Sequence, residues 1–568
     1  MRTRLPRLLR LFIPIALVAW LGACAVGPEP LTLDQLDSEG RKDINTLFEE
    51  VEPLPEVLTL PEAIARALKY NLDHQVKQME EELALDRSSM DRFDLLPRAR
   101  GRAGYRSRSE NRTLENLNET GGSEYTPSEK KSTTTDLTLS WNILDFGIGY
   151  YTAKQNTDRR LIAAEQRRKA VHALIQDVRF AYWRTVAFQV LKDPIRQTLD
   201  QARNEFANIS TQLQENLHNP LDTRYDQKML LENIWKLEYA WQEISIAPIQ
   251  LASLINARFD EKLGAEIRLV VPEQDRLQTP QWTSLIRDME RLAFLKNPDI
   301  RKESYLSRIA IKETHKAILR TLPGLEFSAS RQYDSNDLLK ANRWYEWSTT
   351  LTWNVFNMLS APRRIQYAET AQQLAENRRL ALRMAVLAQV HLADQQFRSA
   401  LKRFQLVDNL FDVNQEIARL VKNRKEHQSI RSLIYRQTSA IISRLQRYQT
   451  YAELQEAYGS LHATLGFDIA ENETIVSNEL EDITETVGHT LSKWANGDPV
   501  KRALMEMDPE PLTECQYFAC KETTEKKKIP LKQATDTSYK DSNDTSIDVT
   551  PTKWDQWNGY KIFTTVPK

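Results

Sequence analysis

Leu137–Gly147 reads LTLSWNILDFG, and Thr349–Leu359 repeats its outline as TTLTWNVFNML. Each stretch starts as an alternating run, passes through a Trp-Asn pair (Trp141-Asn142, Trp353-Asn354) and ends where a long helical pattern begins. A unit of strands followed by helices therefore occurs twice, and the spacing of other landmarks supports a duplication. Asn71 precedes Pro97 of Leu96-Pro97 by 26 positions, and Asn297 precedes Pro323 of Leu322-Pro323 by the same 26. The copies are offset by 226 at the Leu-Pro pairs, by 212 at the Trp-Asn pairs and by 210 at Asn256 and Gly466. The 14 positions lost between the first two offsets fall in the Gly-, Ser- and Thr-rich stretch Glu119–Thr135. Two fused copies of about 200 residues, differing mainly in one loop, point to a pseudo-symmetric protein.

Four segments alternate with period 2, the signature of a strand with one apolar and one wet face. In the first, Arg98, Arg100, Arg102, Arg106 and Arg108 occupy even positions against Ala99, Gly101, Ala103, Tyr105 and Ser107. Leu137, Leu139, Trp141 and Ile143 then alternate with Asp136, Thr138, Ser140 and Asn142. Leu325, Phe327 and Ala329 alternate with Glu326, Ser328 and Ser330, and Tyr345, Trp347, Leu351 and Trp353 with Glu346, Ser348, Thr350 and Thr352. Tyr345, Trp347 and Trp353 stand near strand ends, as in an aromatic girdle. Four strands cannot close a barrel within one chain, and an open apolar-faced sheet in lipid leaves its edges unsatisfied. A membrane barrel built from them has to be shared between several copies.

The remainder reads as helix. Thr59-Leu60-Pro61-Glu62 is a capping box with an early proline, opening a helix to about Met90 that Leu96-Pro97 stops. Segments 147–219 and 358–428 are rich in Ala, Leu, Gln, Glu and Arg and nearly free of Gly and Pro. About 70 residues at ~1.5 Å each span on the order of 100 Å, a length that points to coiled-coil packing. Returning helices are expected over about 222–257 and 429–465. Asp193-Pro194 falls inside the first long helix and is expected to kink it, whereas Gln405-Leu406 in the second permits continuity.

Positive and negative side chains balance, 77 Lys+Arg against 78 Asp+Glu, so no global charge bias points to nucleic acid. The sequence contains no P-loop or zinc-protease motif and only eight scattered histidines, so we expect no enzyme activity, no cofactor and no metal. Arg2, Arg4, Arg7 and Arg10, an apolar run over 11–20 and Leu21-Gly22-Ala23-Cys24 together form a signal-peptide pattern, its apolar part too short to span a bilayer. LGAC resembles a bacterial lipobox, which implies cleavage before Cys24 and lipid attachment there; an ordinary secretory signal is the alternative. Ala25 after that cysteine, in place of the aspartate that retains many such lipoproteins in the inner membrane, implies the outer membrane. In an oxidising compartment Cys515 and Cys520 either pair or remain two surface thiols.

Taken together, LTLPEAIARALKYN (58–71), Leu96-Pro97, SWNILDFG (140–147), DVRFAYW (177–183), NPDI (297–300), TWNVF with SAPRR (352–364) and TLGF (464–467) resemble the TolC-like outer-membrane factors of tripartite efflux pumps and type I secretion systems. The likeness covers about 58–467. It implies a mostly α protein with a membrane β part: a homotrimer whose β-hairpins form a 12-stranded β-barrel in the outer membrane, continued by a 12-helix α-barrel through the periplasm. It also implies a periplasmic adaptor and an inner-membrane transporter as partners, with a type I secretion channel as the near alternative. A periplasmic coiled-coil tether is the alternative of another class, and it leaves the four strands unexplained. The expected layout is a signal peptide (1–23), an acylated extended segment (24–57), a first repeat (58–257, hairpin about 98–143), a connector (258–281), a second repeat (282–467, hairpin about 324–356) and a polar, partly disordered extension (468–568).

If the apolar positions face lipid, Arg98, Arg100, Arg102, Arg106, Arg108, Asp136, Glu326 and Glu346 line the pore, and the arginine excess favours anions. The alternative is that several of these arginines pair with acidic neighbours. The family's periplasmic closure often uses acidic residues of the second hairpin, but the matching positions here are Ser432 and Tyr435 beside Arg431 and Arg436. The first repeat instead has Asp222 and Asp226, one turn apart. We expect these to pair with Arg431 or Arg436 across helices and hold the tip closed, so that charge reversal at Arg436 raises conductance. Ordinary solvated helix charges are the bland alternative.

Overall fold

The computed structural model describes residues 29–507, apart from 111, 118–122, 215–219, 260–262, 265, 272–276, 338, 423–429, 470–478 and 497. Cys24, Cys515 and Cys520 lie outside the described residues. In chain order the elements are α1 (Leu33–Glu49), β1 (Val57–Leu58), α2 (Leu60–Tyr70), α3 (Leu72–Asp94), β2 (Arg98–Ser107), β3 (Arg112–Leu117), β4 (Ser123–Ser128), β5 (Lys131–Asn142), α4 (Ile143–Gln214), α5 (Pro220–Ser245), α6 (Ala247–Leu254) and β6 (Arg268–Leu269). The second half continues with α7 (Ile286–Lys296), α8 (Pro298–Leu319), β7 (Gly324–Asp334), β8 (Arg343–Thr352), α9 (Val355–Lys422), α10 (Ile430–Leu465), α11 (Leu480–Ala495) and α12 (Pro499–Met507).

The duplication is visible at atomic detail. Asn71 caps α3 by accepting from His74 N (3.0 Å), while its Nδ2 donates to Leu254 O (3.1 Å). Asn297 caps α8 by accepting from Asp299 N (2.9 Å), and its Nδ2 donates to Thr464 O (2.9 Å). Each asparagine thus starts one helix of its repeat and ties it to the last turn of the returning helix. The two returning helices close on left-handed residues at the predicted offset, Asn256 (φ 51°) and Gly466 (φ 77°).

β2-β5-β7-β8 form one antiparallel sheet, so the two hairpins join through β5 and β7. Below it, α3 packs on α4, α4 on α8 and α8 on α9, in the same order as the strands they follow or precede. Further along, α9 packs on α10, α10 on α4 and α4 on α5. The largest core lies between these levels, where Leu58, Ile64, Val186, Leu251, Leu292 and Leu461 are fully buried. Tyr182 stitches this core to the β1–β6 pair: its hydroxyl donates to Leu58 O (3.1 Å) and accepts from Val270 N (3.2 Å). Asp468, just past α10, accepts from Arg168 (2.9 Å) and His172 (2.9 Å) of α4. Burial raises its pKa, but these two donors outweigh that and hold it below the usual carboxylate range.

Several expectations need correction. The segment over 24–57 is not wholly extended, because α1 starts at a Thr32–Gln35 capping box, with Thr32 N donating to Gln35 Oε1 (2.9 Å). At Thr59 only half of the expected box forms: Thr59 accepts from Glu62 N (3.3 Å), but the Glu62 carboxylate pairs with Arg66 (3.0 Å). The helix expected to run to Met90 breaks at Asn71, whose extended backbone (ψ 122°) and capping side chain start a new one. The returning helix of the first repeat divides between Ser245 and Ala247, next to Pro248, which has no N–H to continue it. The Glu119–Thr135 loop contains strand, since β3 pairs with β4 and extends the first hairpin. α4 continues as one helix through Pro194, so the proline does not end it. Finally, the polar extension contributes to the core through Ile483, Val487, Trp494 and Val500 of α11 and α12.

Candidate functional site: a two-faced sheet and a charged helix tip

Directly opposed residues in an antiparallel ladder share a face, so the register decides whether the predicted pore residues meet. Arg98 opposes Ser140, Arg100 opposes Thr138, Arg102 opposes Asp136 and Arg106 opposes Ser132. Asn142 opposes Glu326, and Ser330 opposes Glu346. All of these even-numbered side chains therefore lie on one continuous polar face. Arg108 falls one residue past β2, where its backbone N donates to Lys130 O (2.7 Å). The other face carries Leu137, Leu139, Trp141, Phe327, Trp347 and Leu351, all exposed.

Charge on the polar face is only partly neutralised. Arg102 approaches Asp136 at 3.9 Å, and Arg98 approaches Asp145 of α4 at 3.7 Å. Glu346 accepts from Gln332 (2.8 Å). Arg100 and Arg106 have no ion pair among the described residues. The alternative of acidic neighbours thus applies at Arg98 and Arg102.

At the far end of the helices, Arg431 on the first turn of α10 forms an ion pair with Asp226 of α5 and lies 3.8 Å from Glu205 of α4. Beneath it Ile209, Leu230 and Ile434 close a small core between the same three helices. Asp222 and Tyr435 are exposed, while Ser432 and Arg436 are half-buried. The arrangement brings Asp226 and Arg431 together, leaves Asp222 outside, and adds Glu205, which nothing in its local sequence singles out.

Among the described residues both flanks are uncovered. β2 and β8 are the two edges of the sheet, with every residue exposed. On the β8 side, α9 bares Leu406, Leu410, Val413, Ile417 and Leu420, whose 4-3-4-3 spacing is a coiled-coil seam. On the β2 side, α3 bares Val76, Met79, Leu83 and Met90, and α5 bares Leu221, Tyr225, Trp235 and Tyr239. Helix length pointed to coiled-coil packing in the sequence; which positions form the seams, and that they stay uncovered among the described residues, was not legible there. Among the described residues no group of His, Cys, Asp and Glu is placed to hold a metal, and no helix is long and apolar enough to cross a membrane.

No family model matches the chain. No curated protein matches it either. Solved structures do. A membrane protein from Pseudomonas aeruginosa superposes with a TM-score of 0.55 at 19% identity, covering 72% of this chain and 90% of that one. The CmeC outer-membrane channel of Campylobacter jejuni gives 0.53 at 14%, over 75% and 89%. CusC, described with transmembrane channel formation, gives 0.53 at 17%, over 72% and 92%. With the strand order, the duplicated helical hairpins and these likenesses together, the chain has the fold of the TolC-like outer-membrane factors.

Proposed function

We propose that three copies of this chain form a conduit across the outer membrane and periplasm, serving as the outer-membrane channel of a tripartite efflux system. The observation that carries the proposal is the pair of uncovered flanks on a two-faced sheet. Along the sheet strand directions alternate, so β8 of one copy meets β2 of the next in antiparallel sense, and the ring closes with four strands per copy. The α9 seam of one copy then faces α5 of the next, and the part of α9 nearer the sheet faces α3, a head-to-tail interface that generates a ring. Three copies give the 12-stranded β-barrel and the 12-helix α-barrel. The sheet's apolar face meets lipid and its arginine face lines the lumen; Cys24, acylated, anchors the N-terminus in the outer membrane.

In this assembly the protein performs no chemistry. A periplasmic adaptor and an inner-membrane transporter deliver cargo to the helix tips, where three Asp226–Arg431 pairs hold the closed state. A type I secretion channel shares the geometry and differs in its partners; a tether does not use the arginine face. Ion selectivity of the purified protein in planar bilayers tests the lumen: an anion preference is expected, and a cation preference contradicts it. Absence of any channel contradicts the conduit itself.

A further inference from the structure

Between α8 and α9, just beyond the sheet, lies a groove of about 400 Å³. Its floor is apolar, since Ala310 and Ala317 of α8 face Ala368 and Ala371 of α9. The small side chains let the helices approach until Thr314 Oγ1 reaches Ala368 O (3.3 Å). Three guanidinium groups (Arg320, Arg363, Arg364) and the 78% exposed ring of Tyr367 complete the walls. Arg320 shares its charge with Glu313 (3.1 Å), whereas Arg363 and Arg364 have no ion pair among the described residues.

The side on which this groove opens follows from α4, which separates the two faces of the layer. Asp145 approaches Arg98 of the polar sheet face, and Ile148, Thr152 and Gln155 continue its stripe at helical spacing. Gln155 donates to Glu313 (3.0 Å) and accepts from Lys316 (3.0 Å). Glu313 in turn holds Arg320 at the groove. On the opposite side Trp141, from the apolar sheet face, meets Phe146 with ring centroids 5.6 Å apart. The groove therefore opens on the arginine side.

We propose that this groove is a luminal subsite for amphipathic organic anions, that is, a flat apolar body carrying one sulfonate, carboxylate or phosphate. The inference rests on the conduit proposed above and adds the class of cargo that pauses in it. The apolar body lies on the alanine floor against Tyr367, and the anionic group is held by Arg363 and Arg364. A small inorganic anion uses only the guanidinium groups, and a cation with the same body is repelled. Three copies place three such grooves around the lumen, directly in line with the sheet arginines.

The test uses the full-length protein in detergent with naphthalene-2-sulfonate as the probe, by titration calorimetry, followed by current recordings from the same preparation in planar bilayers. We expect saturable binding of one probe per chain and probe-dependent current blockades. Sulfate and naphthylmethylammonium are expected to give neither. Charge-assisted contacts are strong enough that R363Q/R364Q should weaken binding roughly tenfold or more and shorten the blockades in proportion. Y367A, which leaves the charges in place, should weaken the probe but leave ion selectivity unchanged. Open channels with no binding, with equal binding of sulfate, or with binding indifferent to both variants overturn the subsite and leave the conduit standing. A preparation that binds the probe but never conducts overturns the conduit, and with it the luminal role.

Discussion

The two repeats solve the same closing turn with different residues, and the difference shows what each repeat carries besides itself. At Gly466 an added Cβ would lie 2.4 Å from Lys296 O, so the left-handed turn and the close backbone leave room for glycine alone. Asn256, its counterpart, has space for a side chain, and uses it to donate to Leu47 O (2.9 Å) at the end of α1. The first repeat thus secures the N-terminal helix, while the second is pressed against its own entry helix. A similar divergence occurs one turn earlier, where buried Ala252 of the first repeat corresponds to buried His462 of the second. At the tips, Asp226 corresponds to Arg436, so acid in one repeat stands where base stands in the other.

The largest expected effect is at the tighter turn. Gly466→Ala should destabilise the protein by about 3 kcal/mol, combining strain at positive φ with overpacking against Lys296. Asn256→Gly, which keeps the turn and loses only the bond to α1, should cost about 1 kcal/mol. Denaturant unfolding of the two variants checks the asymmetry, and equal losses would break it. Where the repeats are alike, equality is the expectation: Asn71→Ala and Asn297→Ala each lose a cap and a hydrogen bond to the returning helix, about 2 kcal/mol apiece.

The largest histidine contribution to acid sensitivity should come from the second repeat. His462 is enclosed by Tyr458, Trp282, Phe467 and Trp494, its Nδ1 2.8 Å from Tyr458 O, and burial pushes its pKa down to about 3. The unfolded chain protonates this ring near pH 6.5 and the folded chain does not. Its share of stability is therefore complete above pH 6.5 and falls by about 1.4 kcal/mol per pH unit as the pH drops toward 3. His462→Phe should flatten that slope, and thermal unfolding between pH 7 and 5 measures it. An unchanged slope would place the sensitivity elsewhere.

The smallest effect on stability, and the most specific on transport, concerns the tip. Asp226 and Arg431 are each about one-third exposed, so their pair is worth on the order of 0–1 kcal/mol. Arg431→Glu should nevertheless raise single-channel conductance, because it sets a third carboxylate beside Asp226 and Glu205 and loosens α10 from α4 and α5. Conductance equal to that of the unaltered protein would remove the pair from the gate.

Much of this was legible in the sequence because it is written in spacing. The four main strands, the long helices and the 226- and 210-residue offsets depend on periods that survive without tertiary knowledge. The sheet face was also legible, because arginines at alternate positions keep their parity through the ladder. What escaped was decided by partners distant in the chain. The acid-rich segment before Pro53 gave little hint that Asn256 and Arg258 would receive the end of α1, Arg258 lying 5.6 Å from the Phe48 ring. After Asp468 the sequence allows a helix over about 484–504, but gives no sign that its Trp494 stacks on buried His462. The tip pair was predicted as a choice of four, and only packing of α5 on α10 selects Asp226 with Arg431.

In the proposed assembly the uncovered flanks close on one another in threes. Electron-microscopic imaging of the detergent-extracted protein tests it most directly. A hollow three-fold particle with a long tapering end is the expected result. A monomer, or a solid fibre with no central channel, would contradict it.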